Sequence, residues 1–150
     1  MRAVIQRVSE ASVTIEGSVK AAIGQGFLVL LGVEEADAES DADFLARKIA
    51  GLRVFDDETG VMNRSITQVD GRIIVVSQFT LMASYRKGNR PSYIRAAGHA
   101  KAIPLYEYFC RTLGEACGHP VLTGEFGADM KVSLINDGPV TICMDSKSPE

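Results

Sequence analysis

Ser77, Gln78 and Thr80 stand together in SQFTL, residues 77–81. Hydroxyls and a carboxamide can hold a ribose or an ester, and a threonine hydroxyl becomes a nucleophile when a base activates it. They follow a run that is apolar on both faces through Val76, so polarity breaks out where a central strand leaves the core. Ends of central strands are where sites collect, although the same residues also suit a strand end bonding to its neighbours. By the two-residue strand period, Phe79 points with Ser77 and away from Gln78 and Thr80, either into the core or as a stacking wall for a base.

A second stretch is LINDGPVTICMD, residues 134–145. Asp-Gly between two strand-like runs predicts a hairpin turn. Pro139, opening the returning strand, removes a ladder donor. X-Pro bonds are also where a cis peptide costs only roughly 0.5–1 kcal/mol more than trans, and a cis bond turns both neighbouring carbonyls the same way into an acceptor pair. From this stretch alone, a tight turn that happens to contain proline is the simpler reading.

Other machinery is missing from the sequence. His99 and His119 lie at a helix start and after a helix end, without metal-ligand spacing, and read as surface histidines. Cys110, Cys117 and Cys143 are an odd number without a C-x-x-C pair and read as reduced core residues. There is no nucleophile elbow or P-loop, and Gly24-Gln25-Gly26 precedes a strand rather than a helix, which disqualifies it as a dinucleotide loop. No metal and no cofactor are expected.

The 150 residues fit one domain, with 146–150 as a frayed tail. Hydrophobic content of 46% with 23% charged residues is globular, and no apolar run approaches a membrane span. The start, MRAVIQRVSE, alternates like a strand and has no signal-peptide core, so a cytoplasmic location is expected. A net charge of −3 argues against a generic polyanion binder, and no DNA partner is expected. Any nucleic-acid contact must be local, as in YRKGNRPSYIR, where Arg86, Lys87, Arg90 and Arg95 stand with two tyrosines and no acid.

The elements that must position these residues follow from periodicity. Strands are predicted at residues 3–8 running on to 15, 19–23 and 27–33, the last apolar without a break over 27–31 and so central. A helix follows, with Leu45, Ile49 and Leu52 at helical spacing and Ser40-x-x-Asp43 as a weak capping box. Short pieces at 53–55 and 62–68 lead to the buried strand before SQFTL. A basic loop covers 82–92, and a second helix starts near Ile94, with Pro104 breaking it or opening its successor. Leu105, Phe109, Leu113 and Ala116 or Cys117 form its buried stripe, and short strands at 121–123, 130–135 and 140–145 close the chain. The fold class is α+β, with mixed, largely antiparallel sheets and two helical segments in a single domain.

SQFTL at 77–81, RKGNRPS at 86–92, FGADMKVSL at 126–134, NDGPVT at 136–141 and the opening MRAVIQRVSEASV together resemble the bacterial and eukaryotic D-aminoacyl-tRNA deacylases, from Met1 to about Asp145. The resemblance implies a homodimer that hydrolyses the ester between a D-amino acid and the tRNA acceptor end, and that also clears glycine from some tRNAs. It implies a cis Gly138–Pro139 peptide that reaches across the subunit interface into the partner's pocket. Two fixed carbonyls there would hold the substrate's ammonium so that an L side chain collides with the peptide. An aminoacyl ester is already activated, so the site needs positioning and oxyanion stabilisation more than a strong base. On this resemblance Ser77 and Gln78 position ribose and ester, Phe79 shapes the adenosine pocket, and main-chain N–H groups near Phe79 and Thr80 hold the oxyanion while the ribose 2′-OH assists a water.

Two further assignments carry alternatives. Met130 packs against the Gly-Pro turn or is a core methionine. Arg7 shares a strand face with Ala3 and Ile5, and either braces the site's carbonyls or is a surface arginine. Arg86, Lys87 and Arg90 meet the tRNA backbone, which gives little sequence preference. Rival readings are an editing domain that removes a wrong L-amino acid, similar to those of archaeal threonyl-tRNA synthetases, and a tRNA-end binding module without catalysis.

Overall fold

The computed structural model describes residues 1–150. In chain order the elements are β1 (Arg2–Ile15), β2 (Ser18–Ile23), β3 (Gly26–Gly32), α1 (Glu39–Ala50), β4 (Phe55–Asp56), β5 (Met62–Arg64), β6 (Arg72–Ser77), a 3-10 turn (Phe79–Met82), α2 (His99–Cys117), β7 (Leu122–Thr123) and β8 (Lys131–Asp145). The main sheet has the order β2-β1-β3-β6-β7, with β8 paired along β1, and β4 and β5 form a separate two-stranded sheet. β1 is antiparallel to β2, β3 and β8, whereas β6 is parallel to β3 and β7. The expected α+β class with mixed, largely antiparallel sheets is what the chain adopts.

β3 is apolar without interruption because both its faces are covered. Phe27, Val29 and Leu31 enter the larger core with Ala3, Ile5, Val75 and the buried stripes of α1 and α2. Leu28 enters a second, smaller core with Val8, Ala11, Val13, Ala21, Ile74 and Val76. β1 serves both cores because its ladder with β8 is irregular at Gln6/Val8 and at Val8/Glu10, which moves its odd-numbered side chains from one core to the other.

That irregularity corrects the predicted hairpin. The two apolar runs flanking Asn-Asp-Gly-Pro do not fold back on each other; both pair with β1 in the same direction, as one strand. Gln6 faces Thr141 and Val8 faces Asn136, so Asp137, Gly138, Pro139 and Val140 stand opposite Arg7 alone. The 14-residue β1 offers a continuous partner for both runs, and its ladder outweighs the local turn signal.

Other boundaries also shift. α2 starts at His99 rather than near Ile94, because Ile94 and Arg95 form a turn, Glu34 bridges to Ala96 and the Ala97 N–H bonds the Val33 carbonyl, tying the segment to the end of β3. Pro104 lies inside α2 and does not break it: the Ala100 carbonyl it leaves unpaired is exposed to water, and buried Leu105, Phe109, Leu113 and Cys117 hold the helix down. α1 is capped two residues earlier than Ser40-x-x-Asp43 predicts, with Ala38 at the N-cap and its N–H bonded to Asp41 at 2.9 Å. Ser146 and Lys147 are not frayed, because Lys147 Nζ pairs with buried Asp41 at 2.9 Å and the Ser146 N–H bonds the Met1 carbonyl. Cys110 and Cys117 are buried as expected, but Cys143 is exposed on β8, whose far edge carries no further strand.

Candidate active site

β6 and β3 run parallel, and a cavity of about 670 Å³ opens where both end. Its floor is Leu31, Val33 and Val76, and its walls include Ser77, Gln78, Phe79 and Met130. The local fold explains why polarity appears here. The Gln78 N–H still reaches the Leu31 carbonyl at 2.7 Å as the last bond of the strand pair, and the chain then tightens into the 3-10 turn. Fully buried Met82 anchors that turn. It lies against Gly32, where a Cβ would come to 3.0 Å from the Gln78 carbonyl oxygen and from Leu81 Cβ, so a larger residue would push the turn away from the cavity.

Because residues 79–82 are helical, the strand parity expected for Phe79 does not apply. Phe79 is 57% exposed at the cavity rim, edge-on to Tyr93 with ring centroids 5.1 Å apart. The Gln78 amide donates to Thr80 Oγ1 at 2.5 Å. That oxygen therefore accepts a hydrogen bond instead of facing a base, which lowers its nucleophilicity.

The cavity also contains groups not singled out in the sequence. His99, at the first turn of α2, meets Phe126 edge-on at 5.5 Å, and Tyr106 meets the same ring at 5.8 Å. Phe126 lies in the FGADM motif, but only the tertiary fold brings it to α2. The Tyr106 hydroxyl donates to the Val75 carbonyl at 2.8 Å. Burial raises its pKa well above the ordinary phenol value and pushes the neighbouring Cys110 thiol up to about 12, so both stay protonated and serve packing rather than proton transfer. Met130 is half-buried on the second core, its sulfur beside Gly124, so within one chain it does not pack on Gly138–Pro139.

A second cluster forms around Arg7, which is 8% exposed and so is not a surface arginine. Arg7 Nε donates to the Asp137 carbonyl at 2.9 Å and Nη1 to the Val54 carbonyl at 2.6 Å, with Asp56 Oδ1 at 3.4 Å. The Gly138–Pro139 peptide is cis, and both residues are exposed. Gly138 has φ +128°, and a Cβ there would lie 2.9 Å from Arg7 Nη2 and from Val140 Cγ2. Asn136 closes the loop by accepting from the Val140 N–H at 3.0 Å.

Within one chain the two clusters are apart. Ser77 pairs with Leu31, whereas Arg7 pairs with Phe27, four residues back along β3 and so about 13 Å down the strand direction. Arg86, Lys87 and Arg90 are exposed on a loop closed by the Ser84–Ser92 bridge.

Residues 4–145 match the family model described as D-Tyr-tRNA(Tyr) deacylase. The chain belongs to that family, a class of hydrolytic enzymes. It is 68% identical over 150 residues to a D-aminoacyl-tRNA deacylase of Phocaeicola vulgatus and 61% identical to one of Bacteroides thetaiotaomicron, covering 100% of each chain in both cases. Among solved structures, a c-Myc DNA Unwinding Element Binding Protein superposes with a TM-score of 0.91 at 40% identity over 100% of both chains. A probable eukaryotic D-amino acid tRNA deacylase superposes with a TM-score of 0.79 at 16% identity, covering 95% of this chain and 97% of that one, which supports the fold alone.

Proposed function

We propose that this chain hydrolyses the ester of D-aminoacyl-tRNA, and of glycyl-tRNA, releasing the free amino acid and tRNA in the cytoplasm. The observation that carries the reading is the cavity at the ends of β3 and β6, where Ser77, Gln78 and Phe79 line a space large enough for an aminoacyl-adenosine, in a chain belonging to a deacylase family.

The chemistry proceeds without a strong base. The terminal adenosine enters beside Phe79, while Ser77 and Gln78 orient the ribose and the ester. The first N–H groups of a helical turn have no partner within it, and here they belong to Phe79 and Thr80. Directed at the carbonyl oxygen, they stabilise the negative charge that builds up as water attacks, with the ribose 2′-OH relaying the proton. Arg86, Lys87 and Arg90 hold the tRNA backbone. No metal, cofactor, membrane or DNA partner enters this reading, and no helix is long and apolar enough to cross a membrane.

Selection by handedness comes from a homodimer in which Gly138–Pro139 of one protomer completes the pocket of the other beside Met130. Arg7 holds the Asp137 carbonyl and thereby fixes where that loop points. Main-chain carbonyls cannot change rotamer, so the ammonium is held at one position and an L side chain meets backbone. Glycine escapes the exclusion because it has no side chain.

Deacylation of matched D- and L-tyrosyl-tRNA tests the reading. Loss of the D ester alone is expected. Loss of the L ester would indicate an editor of the opposite hand. Loss of neither would indicate a nucleic-acid binder, the reading favoured by the name of the 40% identical structural neighbour.

A further inference from the structure

Charge along this chain is strongly segregated. Residues 71–106 hold six of the 16 Lys and Arg and none of the 19 Asp and Glu, within a molecule of net charge −3. Three other arginines are paired with carboxylates: Arg95 with Glu34 at 2.6 Å, Arg72 with Asp70 at 3.3 Å and Arg64 with Glu58 at 2.5 Å. Arg86, Lys87 and Arg90 have no carboxylate partner.

These three cations share a finger with an aromatic side chain that packs against nothing. Tyr85 is 80% exposed. It follows Ser84, whose N–H and carbonyl both bond Ser92 across the base of the finger at 2.8 and 2.9 Å. Both ends of the finger are tied to the cavity rim: it leaves from the 3-10 turn that carries Phe79 and returns through Tyr93, which packs edge-on against Phe79. An exposed aromatic ring costs solvation unless something covers it. An aromatic beside unpaired cations matches the way single-stranded nucleic acid is held, with bases stacked on rings and phosphates on cations.

We propose that the 84–92 finger is a subsite for the single-stranded nucleotides immediately upstream of the terminal adenosine, with Tyr85 stacking on a base and Arg86, Lys87 and Arg90 on the phosphates. Stacking accepts any base, since every base has a π-face. The subsite adds affinity without selecting among tRNAs. The inference rests on the proposed function for the identity of the RNA, but its binding test does not need catalysis.

Two measurements separate the claims. The first is binding of a single-stranded RNA oligonucleotide ending in CCA to the wild-type chain, Tyr85→Ala and Tyr85→Phe. Loss of one stacked base is expected to weaken binding by about 5- to 150-fold in Y85A, while Y85F stays near wild type. The second is hydrolysis of D-tyrosyl-tRNA against D-tyrosyl-adenosine, which lacks the upstream nucleotides. Y85A is expected to raise KM for the tRNA at unchanged kcat, and to leave D-tyrosyl-adenosine hydrolysis as in wild type. Oligonucleotide binding by Y85A equal to wild type overturns the subsite, as does equal damage to both substrates. If wild type hydrolyses neither substrate yet Y85A still loses oligonucleotide binding, the deacylase reading fails and the subsite stands.

Discussion

Arg7 Nε donates to the Asp137 carbonyl at 2.9 Å, while Nη1 of the same guanidinium donates to the Val54 carbonyl at 2.6 Å. One planar fork thus joins β1, the segment before β4 and the loop in β8. That loop is where the ladder leaves four residues facing Arg7, and the guanidinium occupies the space beside it.

Arg7→Lys keeps the charge but not the fork, so a single ammonium cannot serve both carbonyls. A buried acceptor left unpaired costs about 1–3 kcal/mol. Thermal melting should show a loss of that size, and kcat/KM on D-tyrosyl-tRNA should fall at least about tenfold as the loop loses its brace. An R7K protein with wild-type melting and activity would mean that the fork is not needed.

Gly138→Ala meets two obstacles: a φ of +128° and a Cβ only 2.9 Å from Arg7 Nη2. The loop must move, at a cost of about 1–3 kcal/mol. Activity on D-tyrosyl-tRNA should drop sharply while circular dichroism retains the native spectrum, because Gly138 and Pro139 are exposed and of the loop only half-buried Val140 packs against a core.

Thr80→Ala discriminates between attack by water and attack by the protein. The threonine oxygen accepts from Gln78 and has no base as partner, so T80A should keep activity within about tenfold of wild type. Rapid-quench mass spectrometry should find no acyl-enzyme in either protein. Near-complete loss in a folded T80A, or a trapped acyl-threonine, would make Thr80 the nucleophile.

Asp41 governs stability in acid. Burial alone would raise its pKa, but hydrogen bonds from Ser146, Lys147 and the Ala38 N–H outweigh that effect and hold it at about 2, below its ordinary 3.8. A depressed carboxyl stabilises the fold above its unfolded pKa and loses that contribution as pH falls through its folded one, here from about 4 down through about 2. Asp41→Asn should lower stability by about 2 kcal/mol at pH 7 and flatten the acid limb of a Tm-against-pH series in that window.

Much of the fold could be read from local pattern. The unbroken apolar run at 27–31 marks a doubly covered strand, and the spacing of Leu105, Phe109 and Leu113 marks the helix that covers it. What escaped were choices decided by distant partners. Asp-Gly-Pro signals a hairpin until β1 supplies one long ladder for both flanking runs. Pro104 signals a break until exposure lets water satisfy the freed carbonyl. Ser146 and Lys147 look frayed until Asp41 is seen to be buried beneath them. At the site, SQFTL marked the cavity directly, since polar residues interrupt an apolar strand. His99 and Phe126 carried no such signal, because 26 residues separate them and only α2 and the approach to β8 bring their rings together. Arg7 was ambiguous because strand parity gives a face but not the carbonyls waiting there.

The central claim is that the loop selecting substrate handedness is lent by the neighbouring protomer. Complementation between two inactive variants tests it: Ser77→Trp, which fills the cavity, and Gly138→Ala, which spoils the loop. Co-refolded at equal amounts, random pairing leaves one intact composite site in each mixed dimer, so D-tyrosyl-tRNA deacylation should return to about a quarter of wild type. A mixture as inactive as its parents would mean that cavity and loop act within one chain, which contradicts a loop shared across the dimer.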